Sequence, residues 1–383
     1  MKKKIISLLL VTCLVMSMTV GCSKSNTNDA TMNTVTDQVM EDASEATPEP
    51  EAENDSTTKT FTDSAGREVE IPTDITRIAC SGSLAQIVLF ALAPQMLVGL
   101  SGEWDPSAEQ YINADYYNLS VLGQFYGKGD LNLEEVVKVD PQIIIDVGES
   151  KDTIVEDMDG IEEQVGIPTV HIEATTATMG ETYRILGELL GRQEEAEELA
   201  IYCDEVYKNT QDIMSKVGED GLVKILYCTG EDGLNVIAKG SFHAEVIDML
   251  SDNQAIVDEI SNMGTGNPVD MEQLLMWNPD VILFAPGSIY SAIADNEDWQ
   301  QLTAIKNGTY YEVPNGPYNW MGAPPSVNRY MGMIWMSQLL YPEVANYNMY
   351  DETAKYYQLF YHTELSQDQY NALVANSILK AAK

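Results

Sequence analysis

The chain has 383 residues and a mass of 42.4 kDa, which exceeds one ordinary domain core and favours two domains or lobes. Its 21 Lys and Arg stand against 60 Asp and Glu, and the formal net charge of −39 excludes binding to nucleic acid or to an anionic lipid surface as its main function. Five cysteines without a C-x-x-C pair, and three scattered histidines, exclude a disulfide scaffold and leave little material for an all-protein transition-metal site.

The first 22 residues have the pattern of a targeting segment. Three lysines at 2–4 precede an apolar stretch that ends near residue 20, just before Gly21 and Cys22. This pattern resembles a bacterial lipoprotein signal, and the resemblance implies cleavage before Cys22 and a lipid on its thiol. A plain signal peptide and a retained membrane anchor are the alternatives, but the stretch is short for a span of about 20 residues. We therefore expect an extracytoplasmic protein, anchored by lipid to the outer face of the cell membrane.

Residues 23–59 differ in composition from the rest of the chain. They contain no aromatic residue and consist largely of Ser, Thr, Asn, Asp, Glu and Pro. Such a segment cannot bury enough apolar surface to offset the entropy lost on ordering. We predict a disordered acidic tether with a root-mean-square reach of about 30–35 Å.

The body begins near residue 60 with the pattern of an α/β unit. A β-prone run at 77–80 leads through the small-residue turn 81–83 into a helical pattern at 84–92. Further along, a short helix within 132–141 is ended by proline and runs directly into the apolar strand 142–146. These patterns predict an α/β fold with buried strands.

The same order of elements recurs 138 residues later. Glu134 falls on Glu272 and Pro141 on Pro279, and apolar strands follow both prolines. A β-prone run at 225–230 begins the second half as the run at 77–80 begins the first. Coincidence between two generic α/β segments is the alternative, but the matched Glu, Pro and strand register favour two similar α/β lobes in series.

A long helical pattern at 192–216 separates the two halves. Its apolar residues recur at spacings of three, four and seven, and about 25 helical residues would span roughly 37 Å. The expected domains are therefore an N-terminal lobe at 60–175, connector helices at 176–218, and a C-terminal lobe at 219–383 that includes the terminal helices. One rigid connector predicts a stiff hinge with modest closure and a ligand cleft between the lobes.

Several short motifs occur in a fixed order along the body. They are FTDSAGR at 61–67, Arg-Ile at 77–78, the two Glu…Pro segments, and PPSVNR at 324–329. In this order they resemble the substrate-binding proteins of the helical-backbone class, which serve ABC importers of ferric siderophores, haem and cobalamin. The resemblance implies that one acidic residue on each lobe, Glu134 and Glu272, docks onto arginines of the permease through charge-assisted pairs. Carboxylates that merely favour a helix N-terminus are the plainer interpretation.

Ligands of two-lobed α/β proteins bind at the carboxyl ends of the strands, so the turns that follow the strands are expected in the cleft. Aromatic side chains there would form rigid walls, a guanidinium would pair with an anionic group, and the amides of the turn at 81–83 would hold an anion. Packing against neighbours and a structural salt bridge are the alternatives for the aromatic residues and for the arginine. The candidate ligand-binding residues in these turns are Ser81, Trp104, Tyr126, Tyr290, Tyr318, Trp320 and Arg329.

The remaining cysteines and histidines suggest no metal centre. Cys80 and Cys228 end the first strand of each lobe, where they would form either a thiol pair across the cleft or, like Cys203, small buried core residues. The histidines are isolated, whereas the related binding proteins for bare Zn²⁺ or Mn²⁺ need several His and carboxylates together. We therefore expect no metal site and no catalytic residue.

Together these features predict a monomeric extracytoplasmic lipoprotein without a cofactor of its own. It would capture a small-molecule ligand, a metal chelate with iron favoured as a ferric siderophore, and deliver it to an ABC permease and its ATPase. The same family leaves haem, cobalamin and molybdate- or tungstate-type oxyanions open as ligands. A sensory co-receptor would use the same fold. An enzyme is the remaining alternative, but the sequence shows no nucleophile elbow, P-loop or zinc motif.

Overall fold

A computed structural model describes residues 57–125, 131–261 and 263–378. The predictions for Cys22, for the tether up to residue 56 and for Tyr126 lie outside these residues. The first strand already begins at Thr58, within the last two residues that the sequence assigned to the tether.

The N-terminal lobe combines an antiparallel hairpin with a parallel sheet. In the sheet Ile78 pairs with Ile143 and Ile144 pairs with Thr169. Strands covered on both faces consist of nearly continuous apolar runs, which is why the sequence predicts them. The strands are β1 (Thr58–Thr62), β2 (Glu68–Pro72), β3 (Ile78–Cys80), β4 (Ile143–Gly148) and β5 (Thr169–Glu173), with β4 in the centre of the parallel sheet.

The helices of this lobe lead into the connector. The predicted long helix is present as a 25-residue helix that buries Leu199, Cys203 and Val206 along one side. A glycine in the left-handed conformation, Gly191, ends the shorter helix before it. The helices are α1 (Ser83–Leu92), α2 (Ala114–Tyr117), α3 (Leu133–Val139), α4 (Ile154–Val165), α5 (Met179–Leu190) and α6 (Gln193–Val217).

The C-terminal lobe is built on a larger mixed sheet. Its strands are β6 (Lys224–Thr229), β7 (Asn235–Val236), β8 (Asp252–Asn253), β9 (Asn267–Pro268), β10 (Val281–Phe284) and β11 (Tyr310–Glu312). The order is β11-β10-β6-β7-β9, with β8 also beside β6, and β10 runs parallel to both of its neighbours. The helices among these strands are α7 (Glu245–Leu250), α8 (Met271–Trp277) and α9 (Thr303–Asn307).

The internal repeat seen in the sequence has matching local structure. The side chains of Asn132 and Asp270 cap α3 and α8, each by accepting a hydrogen bond from the amide three residues on. Asp140 and Asn278 end the two helices in the left-handed conformation, with φ of 46° and 37°. A proline follows each, and β4 and β10 then begin at equivalent positions.

The terminal helices contact more than the C-terminal lobe. The rings of Tyr356 and Phe360 pack against Tyr202 of α6 at 6.1 and 5.3 Å, and His362 Nε2 lies 3.3 Å from the Phe90 carbonyl of α1. One apolar core therefore runs from the N-terminal lobe through α6 to these helices. Within the described residues, none of the helices combines the length and apolar character needed to cross a bilayer. The terminal helices are α10 (Asn328–Leu340), α11 (Pro342–Ala345), α12 (Met349–Tyr361) and α13 (Gln367–Leu373).

Candidate functional site

A cleft with a volume of about 630 Å³ opens between the two lobes. The N-terminal lobe contributes residues 81–85, Gln124 and residues 146–151, and the facing wall consists of residues 242–243 and Pro325. The first wall therefore follows the carboxyl ends of β3 and β4, as expected for a two-lobed α/β protein. The volume lies within the range of small-molecule sites, about 300–1,000 Å³.

The start of α1 forms part of this wall. Its N-cap is Gly82, which has an extended backbone and no side chain to satisfy the first amides of the helix. Residues 83–85 of the first turn line the cleft. Their backbone N–H groups carry the partial positive charge of a helix N-terminus, which favours an anionic ligand group nearby.

A hydrogen-bonded network of buried side chains supports the same wall. The Ser81 hydroxyl donates to Asp146 Oδ1, and Asp146 Oδ2 lies 2.7 Å from His171 Nδ1. His171 Nε2 lies 3.1 Å from the Ser150 hydroxyl, and both Asp146 and His171 are buried. Asp146 and His171 are paired across β4 and β5. The network therefore fixes two hydroxyl-bearing residues of the wall relative to each other. In the sequence, a histidine within a strand was its only visible sign.

Arg329 lies beside the cleft in a structural ion pair. It is buried, its Nη1 pairs with Glu245 Oε2, and its Nη2 donates to the Phe242 carbonyl. Glu245 Oε2 also accepts a 2.6 Å hydrogen bond from Thr176. Burial lowers the pKa of Arg329, against the opposing effects of Glu245 and Glu149. Arg329 is therefore placed as the salt-bridge interpretation predicts. It also lines, together with Glu149, a narrow cavity that adjoins the cleft.

Most of the predicted aromatic residues lie away from the cleft wall. Trp104, Tyr290 and Trp320 are buried in the core, where Trp104 packs against Tyr318 at 5.6 Å. The Tyr318 hydroxyl accepts a 3.1 Å hydrogen bond from Gln86 of α1. The loop that holds Tyr318 and Trp320 folds back onto α1, so these rings pack the body and do not form the aromatic wall that the sequence suggested. Of the predicted residues that the structure describes, Ser81 alone lines the cleft.

Phe242 and His243 form the aromatic surface that lines the facing wall instead. Their rings meet edge to face at 5.6 Å, and His243 Nδ1 lies 3.3 Å from the Gly322 carbonyl. The sequence predicts that turns after the strands line the cleft, but it offers no reason to prefer these side chains over other aromatic residues. Which rings are exposed depends on how the loops fold back, and spacing along the chain does not reveal that.

The cysteines of the described residues are buried, and the other side chains that could bind a metal are scattered there. Cys80, Cys203 and Cys228 are free and buried, and burial raises the pKa of the Cys80 thiol to about 11. They therefore pack as core residues. Across the ranges that the structure describes, His, Cys, Asp and Glu do not form a group of three or more that could hold a metal ion.

Glu134 and Glu272 occupy equivalent exposed positions on the two lobes. Each lies in the first turn of its helix, α3 or α8, and both side chains reach solvent. Their placement leaves both carboxylates accessible to a partner.

Comparison with known proteins gives a consistent result. A family model described as "Periplasmic binding protein" matches residues 102–317. An ABC transporter solute binding protein from Sulfurospirillum deleyianum is similar at 25% identity and TM-score 0.75, over 82% of this chain and 99% of that one. A periplasmic solute binding protein from Veillonella parvula is similar at 26% identity and TM-score 0.67, over 84% and 98%. The molybdate periplasmic binding protein of Haemophilus influenzae shares the fold at 20% identity and TM-score 0.63, over 80% and 99%. A search of curated proteins finds no match.

Proposed function

Because this chain belongs to the periplasmic binding protein family, whose members bind solutes outside the cytoplasm for ABC transporters, we propose that its own solute is a metal chelate held in the cleft between the lobes. A ferric siderophore is the favoured chelate. The protein works with a permease and an ATPase, and its family and structural relatives are transport proteins rather than enzymes.

The volume of the cleft carries this proposal. At about 630 Å³ the cleft is roughly twenty times the ~30 Å³ share of one water molecule in the liquid. A four-oxygen anion such as molybdate would fill a small part of it, whereas a chelate with several donor groups would fill most of it. Since a chelator supplies the metal's ligands, the binding protein needs none of its own.

The chemistry of the wall suits a ligand that presents oxygen donors. The amides at the start of α1, the Ser81 and Ser150 residues and the Lys151 side chain meet at the N-terminal wall. These groups bind anionic or strongly polar oxygens, while Phe242 on the facing wall offers an apolar ring. Glu149 is the opposing charge at this wall, and desolvation raises its pKa.

An oxyanion such as molybdate or tungstate is the second candidate. The observation in its favour is the start of α1, where backbone amides meet the cleft at the N-cap Gly82. It would need lobe closure to bring further donors into contact, because the open cleft is much larger than the ion. Haem and cobalamin remain alternative chelates.

Docking and anchoring complete the proposal. Glu134 and Glu272 pair with cations of the permease, one on each lobe, and a lipid on Cys22 holds the monomeric protein at the membrane. The exposed first-turn positions of both glutamates support the docking role. Their equivalent surroundings support a single partner that contacts both lobes together.

Thermal unfolding against a panel of ligands tests the ligand class. The panel contains ferric siderophores, haem, cobalamin, molybdate and tungstate. A ligand present at a hundred times its dissociation constant stabilises the folded protein by about 2.7 kcal/mol, which raises Tm by several degrees. We expect the largest shift with a ferric siderophore. We also expect Lys151→Glu to reduce it, whereas Lys216→Glu, an equal charge reversal at the exposed end of α6, leaves it unchanged. A shift with molybdate or tungstate alone would contradict the chelate.

A further inference from the structure

The two docking helices are alike in position but differ in the side chains they expose. In the 138-residue register, Met276 of α8 falls on Lys138 of α3, and Trp277 falls on Val139. On α3 the Lys138 ammonium pairs with Glu135 at 3.0 Å, so this side of the helix is charged. On α8 the equivalent position presents an apolar methionine. The inference below rests on the docking role proposed above for these helices.

The apolar side chains on these helices are unusually exposed. Val137 on α3 is 78% exposed and Met276 on α8 is 72% exposed, the two highest values among the large hydrophobic residues that the structure describes. Ile256, beside α8, follows at 69%. Exposed apolar side chains that cluster at one place on a soluble protein mark an interaction surface. Leu133, 45% exposed, lies one turn before Val137 on α3, and Ile256 and Met276 form the apolar cluster on the C-terminal lobe.

A groove of about 340 Å³ adjoins this cluster. Gln273 and Trp277, four residues apart on α8, form one side of it, and Ile256 and Val257 from the segment after β8 line it too. Glu272 and Met276 form the neighbouring stripe of the same helix, because residues four apart lie on one face. The groove and the proposed docking carboxylate are therefore adjacent parts of one surface.

The charges around the groove define what it can bind. Two acidic residues, Asp258 and Asp270, line the groove together with the apolar side chains, and Glu272 is exposed next to it. A matching partner segment has a basic residue for the acidic groove and an apolar side chain for Ile256 and Met276 at its edge. A second copy of this chain, with a net charge of −39, is a poor electrostatic match for such a site.

We propose that the extracytoplasmic face of the permease presents a basic residue to this groove and to Glu272, and an apolar side chain to Ile256 and Met276 at the edge of the groove. The N-terminal lobe docks through Glu134 with the exposed Leu133 and Val137 beside it on α3, whereas the C-terminal lobe adds the groove next to α8. The two lobes thus recognise two different surfaces, and this difference fixes the orientation of the protein on its permease.

Surface plasmon resonance tests the proposal. It measures the dissociation constant of the full secreted chain from the purified permease–ATPase complex, without added ligand. We expect Ile256→Ser and Met276→Ser each to raise the dissociation constant about tenfold, the scale of losing an apolar contact in an interface. Met276→Leu should restore it. The matched controls are Val155→Ser and Ile201→Ser, which remove apolar side chains that are 41% and 46% exposed elsewhere, and these should leave docking within about twofold.

Two further arms separate the possible failures. If Glu134→Gln with Glu272→Gln abolishes docking while Ile256→Ser and Met276→Ser leave it unchanged, the groove plays no part and the docking role of the carboxylates stands. If none of these variants changes docking, both the groove and the docking role are refuted. A dimer in analytical ultracentrifugation that Met276→Ser dissociates would assign the groove to a second copy and overturn the proposal.

Discussion

Arg329 holds together three parts of the chain that meet behind the cleft. Its guanidinium pairs with Glu245 at the start of α7, bonds the Phe242 carbonyl and lies over the Phe242 ring at 4.8 Å. Thr176, which precedes α5, donates to the same Glu245 carboxylate. The guanidinium is buried, whereas the Glu245 side chain is 33% exposed. Removing Arg329 therefore costs the hydrogen bonds that it makes to a carboxylate and a carbonyl, while water can still solvate Glu245.

We predict that Arg329→Gln lowers the free energy of unfolding by about 1.5–3 kcal/mol, the scale of a hydrogen bond to a charged group. The matched control is Arg184→Gln, which removes a partly exposed guanidinium from its pairs with Glu197 and Asp204 and should cost about 1 kcal/mol or less. Urea unfolding followed by circular dichroism measures both. Equal losses in the two variants would show that Arg329 does not hold this junction, and would return it to the candidates for ligand contact.

At the scale of single residues the sequence identifies positions better than contacts. It places Ser81 in a cleft turn and Glu134 and Glu272 in exposed first turns, because strand ends and helix starts follow from local pattern. It does not separate Phe242, which lines the cleft, from Trp320, which is buried. That distinction depends on which loop covers which helix, and long-range packing of this kind leaves no trace in residue spacing.

The ends of β3, β4 and β5 are joined by side chains below the cleft wall. Asp146 accepts hydrogen bonds from Ser81 and contacts His171, and His171 reaches on to Ser150. This arrangement gives the N-terminal wall a fixed shape before any ligand arrives, which reduces the ordering needed on binding. The strands therefore position the wall as well as forming the core.

We predict that His171→Asn destabilises the protein by about 1.5–3 kcal/mol, since the buried Asp146 carboxylate loses its hydrogen bond to the imidazole and keeps the one from Ser81. Asp146→Asn combined with His171→Phe should recover part of that loss, because neither remaining group is charged. Urea unfolding measures both, and His362→Asn, a change at an exposed histidine on the C-cap of α12, is the control. The same His171 variant should bind the ligand found in the thermal screen more weakly; unchanged stability and affinity would show that the network does not hold the wall.

Elements with strong local signals are the ones that the sequence predicts well. The long helix α6, the strands β4 and β10 and the repeated α3 and α8 follow from helical spacing, apolar runs and the proline after each short helix. The partners of the terminal helices do not follow in this way. Residues 328–337 of α10 are all buried, so its sequence has no polar face to show which side contacts α6 and which contacts the lobes.

Both lobes are fastened to the same set of helices. Tyr202 of α6 packs against α12, and Tyr330 of α10 donates to the Thr176 carbonyl at 2.7 Å. In the C-terminal lobe, the Tyr341 hydroxyl accepts a hydrogen bond from the amide of Val223, just before β6, and donates one to the carbonyl of Leu250 at the end of α7. Closure of the cleft must therefore bend or shift packed helices, whereas a hinge of loops would rotate freely.

We predict that ligand binding changes the distance between the lobes only slightly. Val137 and Met276 are the most exposed large hydrophobic side chains on the two lobes, so Val137→Cys with Met276→Cys places a spin label at each docking helix without disturbing the core. Cys80, Cys203 and Cys228 are buried and should not react with the label, and Cys13→Ser with Cys22→Ser removes the other two thiols of the sequence. Because α6, α10 and α12 pack against both lobes, we expect the mean distance in pulsed electron resonance to shift by less than the width of its distribution when the ligand from the thermal screen is added. A shift several times that width would show that the packed helices do not restrain the hinge. The permease would then distinguish loaded from empty protein by a large closure of the cleft, and not by a small change in the distance between Glu134 and Glu272.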